Sequence, residues 1–207
     1  MTRRDLFLQT PLALLVLSCA RPSAEVLRPL LNSERIELVF GNYGLEVLEG
    51  GPQLRISNLY SKEGEQRICR TFALTFFPPA TPPLLAEEDR AIRAGGSIGA
   101  VFKKAGFTVE KRPRYFGELA ADRGRRRLAG LMGESARKPL ALYVYTMVLR
   151  RGGESFTYAT LAEVYHPAFL DLGDLRAIYG SEVAAHSRPD PEVSDLLARV
   201  ESATRAD

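Results

Sequence analysis

The sequence predicts an α+β fold, a single domain built mainly on an antiparallel sheet with about three helices, and three observations lead there. Several apolar segments have strand character and are joined by short, glycine-bearing turns. Helical spacing of apolar residues recurs in three separate places. The two kinds of segment do not alternate regularly, which argues against a parallel βαβ sheet. The chain has 207 residues, 45% hydrophobic and 26% charged, with two cysteines and no tryptophan. That composition excludes a disulfide scaffold, a low-complexity or wholly disordered chain and a polytopic membrane protein.

Taken in order, Arg35–Phe40 and Leu45–Leu48 read as a hairpin turning over Gly41-Asn-Tyr-Gly44, where glycine and Asn tolerate positive φ. Gln53–Tyr60 places Leu54, Ile56 and Tyr60 on one face of a strand, and Ile68–Phe77 is apolar on nearly both. Pro78-Pro79-Ala-Thr-Pro82-Pro83 is a stiff loop. Ser97 is placed to cap a helix with Ile98, Val101, Phe102 and Ala105 on its apolar face, closed by Gly106. Phe107–Val109 begins another strand. Leu140–Leu149 is two-sided and therefore central, and Phe156–Tyr165 returns beside it over Arg150-Arg-Gly-Gly-Glu154. Asp171 caps a helix carrying Leu172, Leu175 and Tyr179, ended by Gly180. Asp190 and Pro191 start the last, with Val193, Leu196, Leu197 and Val200 at i, i+3, i+4, i+7.

The amino terminus is read as an address, not as a fold element. Met1-Thr-Arg-Arg-Asp is a basic start, Leu6–Ser18 is a short apolar run broken by Gln9, Thr10 and Pro11, and Cys19 closes it. Such a run is shorter than the ~20 apolar residues that span a bilayer as a helix. Val16-Leu17-Ser18-Cys19 resembles the lipobox of bacterial lipoproteins. That resemblance covers the signal segment alone. It implies cleavage before Cys19, lipidation of Cys19, and permanent attachment to the membrane of the cell envelope, because two or three acyl chains bind far more strongly than one. Ala20 stands where an inner-membrane retention signal would have Asp, which favours the outer membrane, facing the periplasm. Thr2-Arg3-Arg4-Asp5-Leu6-Phe7-Leu8 also looks like a twin-arginine export motif, while the same arginines serve equally as the positive start of a general secretory signal. On this reading residues 1–19 are signal peptide, 20–32 a tether and 33–207 one α+β envelope domain. Cys69, left without a partner once Cys19 is lipidated, is expected to be buried.

Charge is unevenly distributed. Residues 93–138 hold twelve Lys/Arg against four acids, and residues 154–207 hold four Arg against ten. Arg123, Arg125, Arg126 and Arg127 at the centre of the basic stretch are candidates for contact with an anionic lipid, a glycan or an envelope protein partner. The alternative is that the acidic carboxy-terminal third offsets them in the fold. Nucleic acid is a poor candidate, since no aromatic residues interleave the basic run. Ala94-Gly-Gly-Ser-Ile-Gly-Ala100 lacks the Gly-Lys-Ser/Thr ending of a phosphate loop and reads as helix capping. Glu163 and His166, three apart on a strand, make a poor metal pair, and His186 has no recognisable partner. No cofactor, metal or catalytic motif is visible. Eight tyrosines without a tryptophan suit sheet packing, or a groove lined by some of them. The expected function is therefore a lipid-anchored envelope lipoprotein with a non-catalytic binding or assembly role. A carrier or sensor of a lipidic or anionic ligand, and an envelope hydrolase, are the rivals.

In protein isolated from cell membranes, the amino-terminal peptide is expected to begin at an acylated Cys19, and Cys19→Ser to release the chain into the soluble fraction. Intact mass spectrometry reads both, and an unmodified terminus cleaved elsewhere refutes the anchor.

Overall fold

A computed structural model describes residues 22–179 and 189–205 of the chain. Short helices α1 (Ala24–Leu27) and α2 (Asn32–Phe40) lead into three strands, β1 (Gly44–Gly50), β2 (Leu54–Glu63) and β3 (Gln66–Phe76). Helices α3 (Ala86–Arg93) and α4 (Ile98–Lys104) follow, then β4 (Thr108–Leu119), α5 (Arg126–Met132), β5 (Leu140–Arg151), β6 (Glu154–Tyr165), α6 (Leu172–Tyr179) and α7 (Pro191–Arg205). The six strands form one antiparallel sheet in the order β1-β2-β3-β6-β5-β4. Two meanders, β1-β2-β3 and β4-β5-β6, are thus sewn together by the pairing of β3 with β6.

Strand β5 shows why the sheet is buried on both sides. Leu140, Leu142 and Val144 enter one apolar cluster, while Ala141, Tyr143, Tyr145 and Met147 enter the other. The first cluster is completed by Leu128 and Met132 of α5 and by Leu196 and Val200 of α7. The second takes Leu27, Ile36, Ile92, Phe102, Leu175 and Ile178, one or more from each of α1, α2, α3, α4 and α6. Cys69 is fully buried among the first set, and burial pushes its thiol pKa far up, so it stays protonated and packs as a small hydrophobe.

The α+β class and the two central strands agree with the sequence, but about three helices is too few: seven are present among the described residues. The hairpin expected over Arg35–Leu48 is replaced by helix α2 followed by β1. Ile36, Leu38 and Phe40 alternate like a strand, yet Ile36, Val39 and Phe40 also have helical spacing, and the local chemistry selects the helix. Glu34 Oε2 accepts the Leu31 N–H at 2.8 Å, fixing the first turn, and Gly41 ends the helix at φ 75° with its N–H on Glu37 O. The cost is Leu38, left 50% exposed. Helix α3 escapes an apolar pattern because only Ile92 is buried. Its signal is charge, with Glu87, Glu88 and Asp89 in the first turn and Arg90 and Arg93 in the last. The segment expected as a tether is packed from α1 onward: Leu27 is buried, and Arg28 Nε donates to Ile178 O at 2.7 Å.

The other helix ends follow the sequence more closely. Asp171 Oδ1 accepts the Asp174 N–H and Asp174 Oδ2 accepts the Asp171 N–H, a reciprocal cap on α6. Asp190 Oδ1 accepts the Val193 N–H at 2.8 Å, and Pro191 opens α7. Ser97 occupies the N-cap of α4 but its side chain makes no capping hydrogen bond. The Gly180 stop of α6 lies outside the described residues.

Acidic and basic segments meet in the fold. Arg114, the extra residue of a bulge in edge strand β4, reaches Asp190 and Glu192 at 2.8 and 3.0 Å. Arg125, with 2% of its side chain exposed, pairs with Glu201 of α7 at 2.7 Å and donates to Ala120 O. Arg205 returns to Asp122 at 2.5 Å. Removing a buried guanidinium leaves a carboxylate and a carbonyl without a donor. Arg125→Ala is therefore expected to cost about 1–3 kcal/mol in denaturant unfolding, while exposed Arg123→Ala changes stability by less than ~0.5 kcal/mol.

Candidate functional site

The sheet face beneath α2 and α4 is not uniformly apolar. Cross-strand partners share a face, so Ser57, Ala73 and Glu163 form one row across β2, β3 and β6, and Arg55, Thr75, Leu161 and Tyr145 form the next across β2, β3, β6 and β5. Ala73 sits between Ser57 and Glu163, and its small side chain leaves a hollow in that row. Lys111 of β4 and Met147 of β5 close the far side. Leu31, Asn32 and Ser33 at the start of α2, and Ser97, Ile98 and Gly99 at the start of α4, form the roof. Gly99 lets the two helix starts meet: a Cβ there would lie 2.8 Å from Leu31 Cδ2. The result is a cavity of about 60 Å³, several times the ~10–15 Å³ that one water requires.

Glu163, 3% exposed, is the fixed point of the polar wall. Its Oε1 accepts the Tyr145 hydroxyl at 3.1 Å, and its Oε2 accepts the Tyr165 hydroxyl at 2.5 Å. The Asn32 amide donates to Thr71 Oγ1 at 3.0 Å and to Glu163 Oε1 at 3.4 Å. Lys111 Nζ lies 3.5 Å from Glu163 Oε2 and 4.5 Å from the centre of the Tyr145 ring, an ion pair without a hydrogen bond. Burial first, and then the neighbouring Glu163 charge, raise the pKa of the Tyr145 and Tyr165 hydroxyls well above the usual phenol value. Both protons therefore stay on oxygen and point into the carboxylate.

Against this saturated cluster stand groups with unmade hydrogen bonds. Arg55 Nε, Ser57 Oγ and Asn32 Oδ1 are buried, line the cavity and have no partner. A buried polar atom without a partner costs ~1–3 kcal/mol. With the Lys111 ammonium and the Tyr43 hydroxyl, which also line the cavity without a hydrogen-bond partner, five such groups surround one cavity and mark a place where something polar belongs.

The sequence-derived candidates distribute differently. Cys19, the Arg3-Arg4 pair and His186 lie outside the described residues. Arg125 and Arg127 are engaged internally, with Arg127 on Glu49 of β1 at 2.5 Å, whereas Arg123 and Arg126 are exposed at and before the start of α5. None of the four lines the cavity. Of the tyrosines, Tyr43 and Tyr145 do. The glycine-rich stretch 94–100 supplies part of the roof, not a phosphate loop. Sequence reasoning passed over Arg55, Ser57, Ala73, Lys111 and Asn32 as site residues. The available signal was polar residues interrupting otherwise apolar strands, with Arg55 and Ser57 at i, i+2 on one face. Among the described residues no group of three or more His, Cys, Asp or Glu could hold a metal ion. No protein-family model matches the chain, and no curated protein matches it.

His166 follows the last residue of β6 and is not in the cavity wall. Its backbone N–H donates to Arg70 O at 3.0 Å, and its Nδ1 accepts the Ala168 N–H at 3.0 Å. Burial, reinforced by the Arg70 guanidinium, pushes its pKa from 6.5 down to about 4. Between those values the unfolded chain binds a proton that the folded chain refuses, so stability falls as pH drops from 6.5 towards 4. His166→Gln is expected to flatten that part of the pH–stability curve in denaturant titrations. An unchanged slope would assign the acid sensitivity elsewhere.

Proposed function

We propose that this protein is a lipid-anchored bacterial envelope protein whose domain binds a small polar ligand in the cavity between the sheet and the starts of α2 and α4. The observation that carries the binding role is the group of buried, unpartnered polar atoms on Arg55, Ser57 and Asn32 facing one cavity. The lipobox resemblance at Val16–Cys19 supports the anchor. The pairing of Arg125 and Arg127 within the fold moves the weight away from the basic run as the functional surface and towards the cavity.

The reading is that of a carrier or sensor. Glu163 is fully occupied by two tyrosine hydroxyls, an amide and an ammonium, so its role is to hold Tyr145, Asn32 and Lys111 in place around the ligand. Arg55 also borders an outer cleft formed by Gly50, Gly51, Pro52, Phe77 and Arg93, which gives the ligand a basic approach.

Full-length protein extracted gently from membranes is expected to retain a small molecule in native mass spectrometry. Ala73→Leu, which fills the hollow in the cavity floor, is expected to abolish that retention while circular dichroism shows a folded chain. Undiminished retention by Ala73→Leu would refute the cavity as the site.

A further inference from the structure

The polar groups around the cavity are specific enough to define the ligand's chemistry. Arg55 is 5% exposed, and its guanidinium donates to backbone carbonyls. Both of its hydrogen bonds leave from Nη1, to Ile92 O and Gly96 O at 2.9 Å each, and Nε is buried without an acceptor. The edge of the guanidinium that can bind a carboxylate with two parallel N–H bonds is therefore the edge left unused. Ser57 is two residues on along β2, on the same face and ~6.6 Å away along the strand, with its hydroxyl also unpartnered.

Charge and hydrogen-bond balance narrow the class further. The ionisable side chains lining the cavity are Arg55 and Lys111 against Glu163, a net charge of +1 that one monoanion neutralises. A buried, uncompensated cation is costly, whereas a bound carboxylate beside it removes both the charge and the unmade hydrogen bond. Asn32 asks for the opposite partner. Its amide nitrogen must face Glu163, which only accepts, so Oδ1 is the free atom and takes a donor from the ligand, while the unpartnered Lys111 ammonium and Tyr43 hydroxyl on the same lining take acceptors from it. An ammonium would restore the +1 charge, while a hydroxyl would not.

We infer that the cavity takes a small hydroxymonocarboxylate, its carboxylate on Arg55 and Ser57 and its hydroxyl donating to Asn32 Oδ1, an assignment that rests on the ligand-binding function proposed above. The cavity volume of about 60 Å³ limits it to a few carbon atoms.

The test is isothermal titration calorimetry of the full-length protein in detergent with glycolate and lactate, against lactamide (no charge), acetate (no hydroxyl) and inorganic phosphate. Glycolate or lactate is expected to bind about tenfold or more tightly than lactamide or acetate, as the loss of one charge-assisted or donor contact requires. Ser57→Ala and Arg55→Gln are each expected to weaken binding by a similar factor; the serine variant carries the test if the arginine variant does not fold. Equal binding of lactamide, or tighter binding of phosphate, overturns the carboxylate assignment and leaves a ligand cavity standing. Failure of every probe overturns the inference alone when native mass spectrometry still finds a retained molecule. It overturns the ligand-binding function as well when nothing is retained and Ala73→Leu raises thermal stability.

Discussion

Everything in this molecule depends on one pairing, that of β3 with β6. Each meander, β1-β2-β3 and β4-β5-β6, is closed by connections along its own half of the chain, but neither can bury both of its faces alone. The pairing from Thr71↔Tyr165 to Phe76↔Thr160 brings together residues about ninety positions apart and turns two three-stranded ribbons into one sheet. Only then are β3 and β6 flanked on both sides, as their two-sided apolar sequence requires. Such a contact is expensive in loop-closure entropy. The helices that cover the sheet answer to it, since α5 and α7 cap one side of the seam and α2, α4 and α6 the other.

The cavity straddles the same seam. Arg55 and Ser57 come from the first meander, Glu163, Tyr145 and Lys111 from the second, and Ala73 lies on β3 itself. The site is therefore complete only once the two meanders have paired. Register is unforgiving here, because a slip of one residue between β3 and β6 would turn Glu163 and Tyr165 to the opposite face. The Asn32 amide spans that seam, donating to Thr71 of β3 and to Glu163 of β6, and so helps to prevent the slip. A carboxylate held by Tyr145, Tyr165, Asn32 and Lys111 is worth its burial only in one alignment of three strands and a helix. Arg55 makes no comparable contact, since its guanidinium bonds only to backbone carbonyls, and a buried guanidinium without a carboxylate lowers stability. Groups that cost stability and sit together around a cavity are the usual price of function.

What the sequence made legible was what a single local rule decides. The two-sided runs at Ile68–Phe77 and Leu140–Leu149, the Gly152-Gly153 turn and the Asp190-Pro191 helix start each follow from one segment's own chemistry, and each is present. Arg35–Phe40 satisfies two periods at once, and the decision between them lies in Glu34 reaching back to Leu31 and in the burial of Arg35 against Leu27 O and the Tyr179 hydroxyl. That second contact joins residues 144 positions apart and has no local signature. The site was hidden for the same reason. Arg55 and Ser57 look like solvent-facing positions of an amphipathic strand, and only the presence of α4 above them makes them interior.

The placement of the helices also bears on how an anchored domain would stand on its membrane. Four residues separate Cys19 from α1, a reach of at most ~14 Å when fully extended. An acyl group at Cys19 would therefore hold α1 close to the bilayer. Helix α1 packs on the same sheet face as α2, α4 and the cavity roof, while α5, with the Arg123–Arg127 run at its start, packs on the opposite face. The sheet stands between α1 and the basic run. With the proposed anchor at Cys19, contact between those arginines and the membrane would be the arrangement the fold favours least, and the side nearer the bilayer would be the one with α1, the cavity roof and its polar wall. On the function proposed above, an anchor so near α1 would fix both where the cavity stands and how far from the lipid it can move, which suits a domain that takes up small solutes at a membrane surface.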